Sequence, residues 1–103
     1  MLPSERLRQK ITKENLWLYV LSLLEEGDAY GYELREKVKA KFGFKPGNVT
    51  AYRVLYALKH AGLVATSEGD VRGSKRQYYK ITEKGREELE AGKGILRKTL
   101  AAI

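Results

Sequence analysis

Residues 48–60, NVTAYRVLYALKH, constrain the fold more than any other stretch, because their residues divide sharply when placed on a helix. One side of this predicted helix, continued by one residue, is apolar and suits a core: Ala51, Val54, Leu55, Leu58 and Ala61. The other side is mostly polar or aromatic and consists of Asn48, Val49, Tyr52, Arg53, Tyr56 and His60. We therefore expect a helix that buries one face and presents the other to solvent or to a partner.

The outward side of this helix carries no acidic residue, and neither does the sequence around it. No Asp or Glu occurs between Glu36 and Glu68. Basic residues are frequent in the same interval: Lys37, Lys39, Lys41, Lys45, Arg53 and Lys59. Acidic side chains on this surface would repel phosphate groups, so their absence favours contact with a polyanion. The alternative is a surface helix whose exposed residues are basic without a function.

Length and composition limit what the chain can be. With 103 residues it is one domain of ordinary size with a single modest core. Its hydrophobic share of 43% and charged share of 32% are typical of a folded chain rather than a disordered one. The formal net charge of +7 favours an anionic partner, with nucleic acid ahead of an anionic membrane surface.

The sequence lacks the features of an exported or membrane-inserted chain. No apolar run is long enough to cross a bilayer. The first ten residues, MLPSERLRQK, carry charges where a signal peptide needs an apolar core. Because the chain has no cysteine, disulfides and thiolate chemistry are excluded. We therefore expect a cytoplasmic protein that does not enter a membrane.

Residues 1–12 predict an N-terminal arm that contains a short helix. Ser4 is a suitable N-cap for this helix, and Leu7 and Ile11 share one of its sides. A helix of this length is not stable alone. The arm is therefore expected either to fray or to pack on a neighbour such as a second subunit.

Two helices are predicted between the arm and residue 48. The first spans residues 13–26, is capped by Thr12 and is apolar nearly all round, which indicates a central position in the core. The second spans residues 30–42 and is opened by Asp28 or Ala29.

A tight turn, FKPGN, follows the second helix, and Asn48 at its end is a suitable N-cap for the helix over residues 48–60. Two helices joined by such a turn, the second of them basic and free of acid, are typical of a helix-turn-helix.

The next segment predicts a β-hairpin. Residues 63–66 and 76–82 have the composition of strands, and residues 68–75, EGDVRGSK, are rich in turn formers. A hairpin after a helix-turn-helix is a wing. The tip of this wing is basic: Arg72, Lys75 and Arg76.

The last predicted helix begins at Glu83 and is capped by Thr82. Four apolar residues recur along it at nearly heptad spacing: Leu89, Leu96, Leu100 and Ile103. Because the other elements already provide a core, we expect this stripe to form an interface with a second copy. The alternative is packing of the stripe on the first core helix.

The chain closely resembles the PadR-like winged-helix transcriptional regulators in three stretches of matching order and spacing: LSLLEEGDAYGYEL at 21–34, TAYRVLYALKHAGLV at 50–64 and RQYYKITEKG at 76–85. Each stretch alone is a weak signal, but together they are specific. The resemblance covers about residues 16–89, which is most of the chain.

This resemblance implies an α+β fold, a winged helix-turn-helix of three core helices and a two-stranded wing, with a C-terminal dimerisation helix. It divides the chain into an arm at 1–12, a DNA-binding domain at 13–82 and a dimerisation helix at 83–103. It further implies a homodimeric, repressor-type regulator without a cofactor. The helix over residues 48–60 would read the major groove, and the wing would contact the adjacent backbone or minor groove.

The resemblance also assigns roles by position. Tyr52 matches the tyrosine of the family's recognition helix, and Arg76 and Tyr79 match basic and aromatic positions of the second wing strand. The chain departs from the family's pattern at Val49, where the family often has a small residue, and at Arg53, where it often has proline.

The predicted contacts to double-stranded DNA lie on the outward side of the 48–60 helix, on the wing and at the start of the second core helix: Asn48, Thr50, Tyr52, Arg53, Tyr56, Lys59, Arg72, Lys75, Arg76 and Tyr30. Arg53 leads this set because its guanidinium can pair with guanine or bridge phosphate oxygens. The alternatives are capping alone for Asn48 and Thr50, and packing for the tyrosines.

The predicted dimer interface consists of apolar residues from the arm and from the last helix: Leu7, Ile11, Leu89, Leu96, Leu100 and Ile103. Trp17, the only tryptophan, is expected in the core. A second interpretation places Trp17 at the dimer seam, where it would line a space for a flat aromatic effector.

Catalysis finds little support in the sequence. The only histidine, His60, has no carboxylate or nucleophile nearby in the chain, and there is no His/Cys cluster for a metal. Two other interpretations remain open: a winged-helix module that binds an acidic protein, and a non-specific architectural DNA-binding protein. A gel shift on random duplex DNA at low salt separates the first from a DNA-binding regulator.

Overall fold

The computed structural model describes residues 1–103 apart from the side chain of Val71. Five α-helices follow one another along the chain: α1 (Pro3–Ile11), α2 (Leu16–Glu26), α3 (Gly31–Phe42), α4 (Asn48–His60) and α5 (Glu83–Ala102). Three strands form an antiparallel sheet in the order β1-β3-β2: β1 (Ala29–Tyr30), β2 (Val64–Val71) and β3 (Ser74–Ile81). The α+β winged helix-turn-helix fold is thereby confirmed.

Helix α2 is the centre of the core, as its nearly all-round apolar sequence predicts. It contacts α3, α4, α5 and β3. The buried residues of α2 are Leu16, Val20, Leu21, Leu23 and Leu24. Each neighbouring helix adds its own apolar side to the same cluster, with Leu34 from α3, Leu55 from α4 and Leu89 from α5. The core therefore fixes where the outer face of each helix points.

The arm forms a helix, α1, but its start differs from the prediction. The N-cap is Leu2 rather than Ser4. Pro3 occupies the first helical position, where its missing N–H costs nothing and its fixed φ suits a helix. The carboxylate of Glu5 accepts a hydrogen bond of 3.1 Å from the Leu2 N–H. The helix consequently begins before Ser4.

The predicted start of the first core helix at residue 13 was also wrong. Residues Lys13–Asn15 form a turn of 3₁₀ helix, and α2 begins at Leu16. The Thr12 hydroxyl does not cap this segment, because it donates a hydrogen bond of 2.6 Å to the Arg8 carbonyl at the end of α1. Thr12 therefore belongs to the end of the arm.

A short strand that the sequence analysis did not predict precedes α3. Ala29 and Tyr30 pair with Tyr79 and Tyr78 of β3. Helix α3 begins at Gly31 with Tyr30 as its N-cap, so neither Asp28 nor Ala29 opens it. The pairing fastens the start of α3 to the wing.

The wing strands are longer than predicted and the turn between them is shorter. The turn consists of Arg72 and Gly73, with φ values of 52° and 79°. Positive φ at both central residues is typical of the tight hairpin turn whose twist suits antiparallel strands. Gly69 and Asp70, which were predicted to lie in the turn, instead pair with Arg76 and Lys75 as part of β2. As predicted, β3 alternates, with Tyr79 and Ile81 buried.

Helix α5 begins as predicted, with Thr82 as its N-cap accepting a hydrogen bond of 3.0 Å from the Gly85 N–H. One member of the predicted interface stripe was misplaced. Leu89 is 0% exposed and packs in the core, because it lies on the side of α5 that faces α2. The remaining members are exposed, with Leu96 at 44%, Leu100 at 79% and Ile103 at 97%.

Replacing Gly85 with alanine should strongly destabilise the protein. A Cβ at this position would collide with the Leu63 carbonyl oxygen and would lie 2.8 Å from Cγ1 of Ile81. Overpacking against backbone is expected to lower the free energy of unfolding by about 1–3 kcal/mol. Urea denaturation measures this difference.

Gly94→Ala in the same helix is the matched control. No heavy atom lies within 4 Å of a Cβ built at Gly94, so the substitution is expected to raise the free energy of unfolding by roughly 0.5–1 kcal/mol through helix propensity. Equal effects of the two substitutions would contradict the packing described for Gly85.

Candidate nucleic-acid interface

Helix α4 is placed by a short turn that the rest of the molecule holds in position. Gly43 ends α3 in the left-handed conformation, with φ of 81°. Pro46 is buried, and its carbonyl accepts a hydrogen bond of 3.2 Å from Nε of Arg35. Arg35 therefore ties α3 to the turn that precedes α4. Sequence analysis missed this residue, since nothing in the local pattern indicates a bond to a carbonyl eleven positions away.

The two faces of α4 are arranged as its sequence predicts, and the helix has the predicted bounds. Ala51, Leu55 and Leu58 are buried and Val54 is half-buried, whereas Ala61 is exposed and does not extend the apolar face. The exposed face consists of Asn48, Val49, Tyr52, Arg53, Tyr56 and His60. Burial of the apolar side thus turns this polar and aromatic side outward.

The start of α4 is open to a ligand. Its N-cap is Gly47 in an extended conformation, so Asn48 is the first helical residue and not the cap. Asn48 and Thr50 are both exposed, and the first turn contains no acidic residue. The partial positive charge of the helix N-terminus is therefore not neutralised by a neighbouring carboxylate in this turn.

Next to α4 lies a cleft of about 940 Å³ between the helices and the wing. We call it the aromatic cleft, and its principal lining residues are Tyr30, Tyr32, Tyr52, Arg72, Arg76 and Tyr79. The cleft brings Tyr52 of α4 and two arginines of the wing to one side of the molecule. This juxtaposition is what the hypothesis of a shared DNA-binding face requires.

Tyrosines form the walls of this cleft in different ways. Tyr79 is 6% exposed, and its hydroxyl donates a 3.3 Å hydrogen bond to Oε1 of Gln77. Burial, and secondarily the nearby Tyr52, raise the pKa of Tyr79, so that its phenol stays protonated as a donor. Tyr30 is half-buried, with its ring 5.6 Å from that of Tyr78 in an edge-to-face arrangement.

Tyr52 lies over the start of α3. A Cβ added to Gly31 would come within 2.7 Å of the Tyr52 hydroxyl and within 2.8 Å of Cζ. The absence of a side chain at Gly31 is therefore what lets the tyrosine ring occupy this place. Nothing in the local sequence pattern indicates this role for Gly31.

The ion pairs show which lysines near α4 are already neutralised by a carboxylate. Three lysines of the acid-free interval are paired with carboxylates that lie outside it: Lys37 with Glu33 at 3.8 Å, Lys41 with Glu26 at 3.1 Å and Lys45 with Glu36 at 2.7 Å. The hydrogen bond from Lys45 is the main reason that the pKa of Glu36 is lowered. These three lysines are therefore paired, although the interval in which they lie contains no acidic residue.

The cations of α4 and of the wing tip differ from these three lysines. Among the described side chains, no carboxylate lies within ion-pair distance of Arg53, Lys59, Arg72, Lys75 or Arg76. All of them are exposed. Asp70 is opposite Lys75 in the hairpin register but forms no ion pair with it. Positive charge available to a partner is thus present on both α4 and the wing.

A second surface is apolar and lies away from the wing. Ile11, Trp17, Ile95 and Leu96 surround a hollow of about 180 Å³ between α1, α2 and α5. Leu7 and Leu100 are also exposed nearby on α1 and α5. Sequence analysis predicted most of these residues but missed Ile95, because it lies beside the heptad stripe rather than on it.

Trp17 is half-buried at the edge of this hollow. Its indole Nε1 donates a hydrogen bond of 3.2 Å to Oδ1 of Asn15. Its ring packs against Gly92, where an added Cβ would lie 2.8 Å from Cη2. The indole therefore joins the core on one side and reaches the hollow on the other.

Two other kinds of site were sought in the described part of the chain. It contains no group of three His, Cys, Asp or Glu side chains that could hold a metal ion. None of its helices is both long enough and apolar enough to cross a membrane.

The fold and its basic face define a winged-helix DNA-binding protein. Residues 20–91 match the family described as "Transcriptional regulator PadR-like family". Because this match covers most of the chain, the protein belongs to the PadR-like family of transcriptional regulators, and the resemblance seen in the sequence is confirmed.

Solved structures agree with this assignment. A transcriptional regulator from Clostridium thermocellum is 25% identical with a TM-score of 0.79, over 99% of this chain and 94% of its own. A PadR family transcriptional regulator from Eggerthella lenta is 27% identical with a TM-score of 0.77, over 96% and 89%. Bacillus subtilis PadR in complex with operator DNA is 22% identical with a TM-score of 0.69, over 78% and 47%, a likeness in fold.

The contact between Gly31 and Tyr52 predicts a measurable coupling. Gly31→Ala should lower the free energy of unfolding less in a Tyr52→Ala background than in the wild type, by roughly 0.5–1 kcal/mol, because the clash with the ring is then gone. A double-mutant cycle on the free energy of unfolding in urea measures this difference. Additive effects of the two substitutions would show that the ring does not depend on the missing side chain.

Proposed function

We propose that this protein is a sequence-specific transcriptional regulator that represses by occupying a pseudo-palindromic duplex site as a homodimer. The observation that carries the proposal is the presence of exposed cations without ion pairs on α4 and on the wing, whose Arg72 and Arg76 line the aromatic cleft together with Tyr52 of α4. A bound dimer would hinder access of other proteins to the same DNA, which accounts for repression without a cofactor.

Helix α4 is the proposed recognition helix. Its exposed Arg53 and Tyr56 would enter the major groove, where a guanidinium can pair with the O6 and N7 atoms of guanine. Asn48 and Thr50 at the open N-terminus would bind phosphate, because backbone N–H groups and the helix dipole favour an anion there. Lys59, in the last turn, would contact phosphate on the far side of the groove.

We expect the aromatic cleft to bind the DNA backbone that separates the major groove from the adjacent minor groove. If α4 occupies the major groove and the wing occupies the next minor groove, one strand of backbone passes between them. Arg72 and Arg76 would bind its phosphates from the wing, with Lys75 beside them. Tyr30 of β1 and Tyr52 of α4 would face it from the other side of the cleft.

The comparisons support DNA as the partner. The family consists of transcriptional regulators, and the Bacillus subtilis protein with the same fold is in complex with operator DNA. For the present chain, the base contacts, the two-fold site and the repressor role are our proposals. An interaction module for an acidic protein would need the same exposed cations but would not bind duplex DNA.

A homodimer is proposed because the arm and α5 leave apolar side chains uncovered. Leu7 and Ile11 of α1 and Leu96 and Leu100 of α5 are exposed on elements beside one hollow, and Ile103 follows at the end of α5. In this scheme residues 13–82 bind DNA, and the flanking segments 1–12 and 83–103 hold two copies together. Trp17 would then lie at the interface between the two copies. Binding of a flat aromatic effector in the hollow beside it is a prediction that no observation tests.

Selection of bound sequences from a random duplex pool tests this function. We expect two related half-sites in inverted orientation, with centres about one helical turn, roughly 10 bp, apart. Recovery of a single half-site would contradict dimeric recognition. Recovery of unrelated sequences would indicate an architectural DNA-binding protein, and absence of binding at low salt would favour an acidic protein partner.

Arg53→Ala should weaken binding to the selected site by about 1–3 kcal/mol and relax its preference at one base position. Arg53→Lys keeps the charge but loses the planar fork, so it should retain the salt dependence while losing that preference. Fluorescence anisotropy over a series of salt concentrations measures both effects.

Lys13→Ala is the control for Arg53, because it removes one exposed cation from the 3₁₀ turn, away from α4. Its effect on affinity should be small at every salt concentration. If Arg53→Ala lowers the affinity for the selected site no more than Lys13→Ala does, Arg53 is not one of the DNA contacts.

Leu100→Glu should convert the dimer to a monomer, because it places a charge in the centre of the proposed apolar interface. Lys98→Glu places the same carboxylate two residues away, outside the stripe, and should leave the dimer intact even though it changes the net charge by two units. Sedimentation velocity reports the two states. A wild-type chain that sediments as a monomer at all accessible concentrations would refute the proposed dimer.

A further inference from the structure

The C-terminal end of α4 is bonded to the start of α5 by a set of contacts that we call the latch: Ala61, Gly62, Leu63, Thr82, Lys84 and Gly85. Three successive carbonyls accept its hydrogen bonds. Nζ of Lys84 donates to the Ala61 carbonyl at 2.9 Å, the Thr82 hydroxyl to the Gly62 carbonyl at 2.7 Å, and the Thr82 N–H to the Leu63 carbonyl at 3.1 Å.

The C-terminal end of α4 is fixed by its own backbone hydrogen bonds. The Leu63 N–H bonds to the Leu58 carbonyl at 2.9 Å and the Gly62 N–H to the Lys59 carbonyl at 3.0 Å, with Gly62 at φ of 78°. This pair of bonds is the Schellman motif, which ends a helix in a single defined conformation. The carbonyls that Lys84 and Thr82 bind are therefore held rigidly relative to α4.

The other half of the latch is equally constrained. The Thr82 hydroxyl caps α5 by accepting a hydrogen bond from the Gly85 N–H. Gly85 is buried against the Leu63 carbonyl, with no room for a side chain. The ammonium group of Lys84 lies at the negative end of the α4 dipole, which favours its position. The first turn of α5 is thus joined directly to the last turn of α4.

We propose that Lys84 is a positioning residue: by holding the end of α4 to the start of α5, it sets the spacing between the two half-sites that the dimer accepts. This proposal rests on the proposed function, in which α4 reads DNA and the far part of α5 joins two copies. Lys84 does not contact the bases. It determines how the recognition helix is held by the dimerisation helix.

The length of α5 makes the spacing sensitive to this junction. Leu89 and Gly92 pack on α2, so the part of α5 that extends beyond this support is its last ten residues, about 15 Å long. A change of roughly 10° in the direction of α5 moves its far end by about 2.5 Å in each protomer, and so by about 5 Å between two copies related by a two-fold axis. One base pair along the duplex corresponds to roughly 3.4 Å. A small loss of order at the latch is therefore enough to admit spacings that differ by one base pair.

The binding test uses pairs of the selected half-site at spacings that increase by single base pairs. Lys84→Met should recognise the same half-site, while its preference for the best spacing over the two adjacent ones falls at least about threefold. Lys84→Arg, which keeps a cationic donor, should restore the wild-type profile. Lys80→Met, at the base of the wing and exposed, removes a charge but not the latch, and should leave the profile unchanged.

A spin-label measurement reports the same property without DNA. Because the chain has no cysteine, Ala57→Cys on the exposed part of α4 gives one label in each protomer. The distribution of distances between the two labels should be narrow in the wild type and broader with Lys84→Met. This readout also applies if the variant binds DNA too weakly for the spacing series.

An unchanged spacing profile with Lys84→Met, or uniform weakening at every spacing, would overturn the proposal, and so would identical distance distributions. Uniform weakening together with a shallower salt dependence would instead make Lys84 a phosphate contact. Failure of the wild type to select paired half-sites would refute the proposed function rather than the role of the latch.

Discussion

Burial of one side of α4 against the rest of the core is the constraint on which the remaining structure depends. Ala51, Leu55 and Leu58 enter the core that α2 organises, and this orientation leaves Tyr52, Arg53 and Tyr56 no position other than the surface. The face offered to a partner is therefore a consequence of hydrophobic packing. Any change that rotated α4 about its axis would remove apolar side chains from the core as well as the proposed contacts from DNA.

Electrostatics then separates the basic residues of the chain into two groups. Carboxylates of α2 and α3 neutralise lysines of α3 and the following turn, at pairs such as Lys41–Glu26 and Lys45–Glu36. Such exposed pairs contribute little to stability. Their consequence is that these lysines are neutralised locally, whereas the cations of α4 and of the wing tip form no ion pair among the described side chains. Net charge alone could not have shown this, because it counts paired and unpaired cations alike.

Much of the fold could be predicted because its signals are local. The bounds of α4, the cap at Thr82 and the alternation of β3 each depend on neighbouring residues, and the structure agrees with them. The caps of α1, α2 and α4 were less predictable, since Ser4, Thr12 and Asn48 compete with equally suitable neighbours. The observed N-caps are instead Leu2, Asn15 and Gly47.

The features that sequence reasoning missed are bonds and contacts between distant segments. Strand β1 exists only because β3 pairs with it, and the turn at Arg72 follows from strand register rather than from the Gly and Asp before it. Leu89 has the spacing of an interface residue, yet it faces α2. The hydrogen bonds from Arg35 to Pro46 and from Lys84 to Ala61 have no local signature. The residues that position α4 are consequently less predictable than those it exposes.

The central claim is that α4 and the wing together form the face that meets duplex DNA. Backbone amide chemical shifts, followed by NMR while a duplex containing the bound sequence is added at low salt, test this claim most directly. The account predicts that the largest shifts occur in residues 48–60 and 72–79, together with Tyr30 at the cleft, while the far part of α5 changes little. Largest shifts on α1 and the second half of α5, with α4 unaffected, would contradict it.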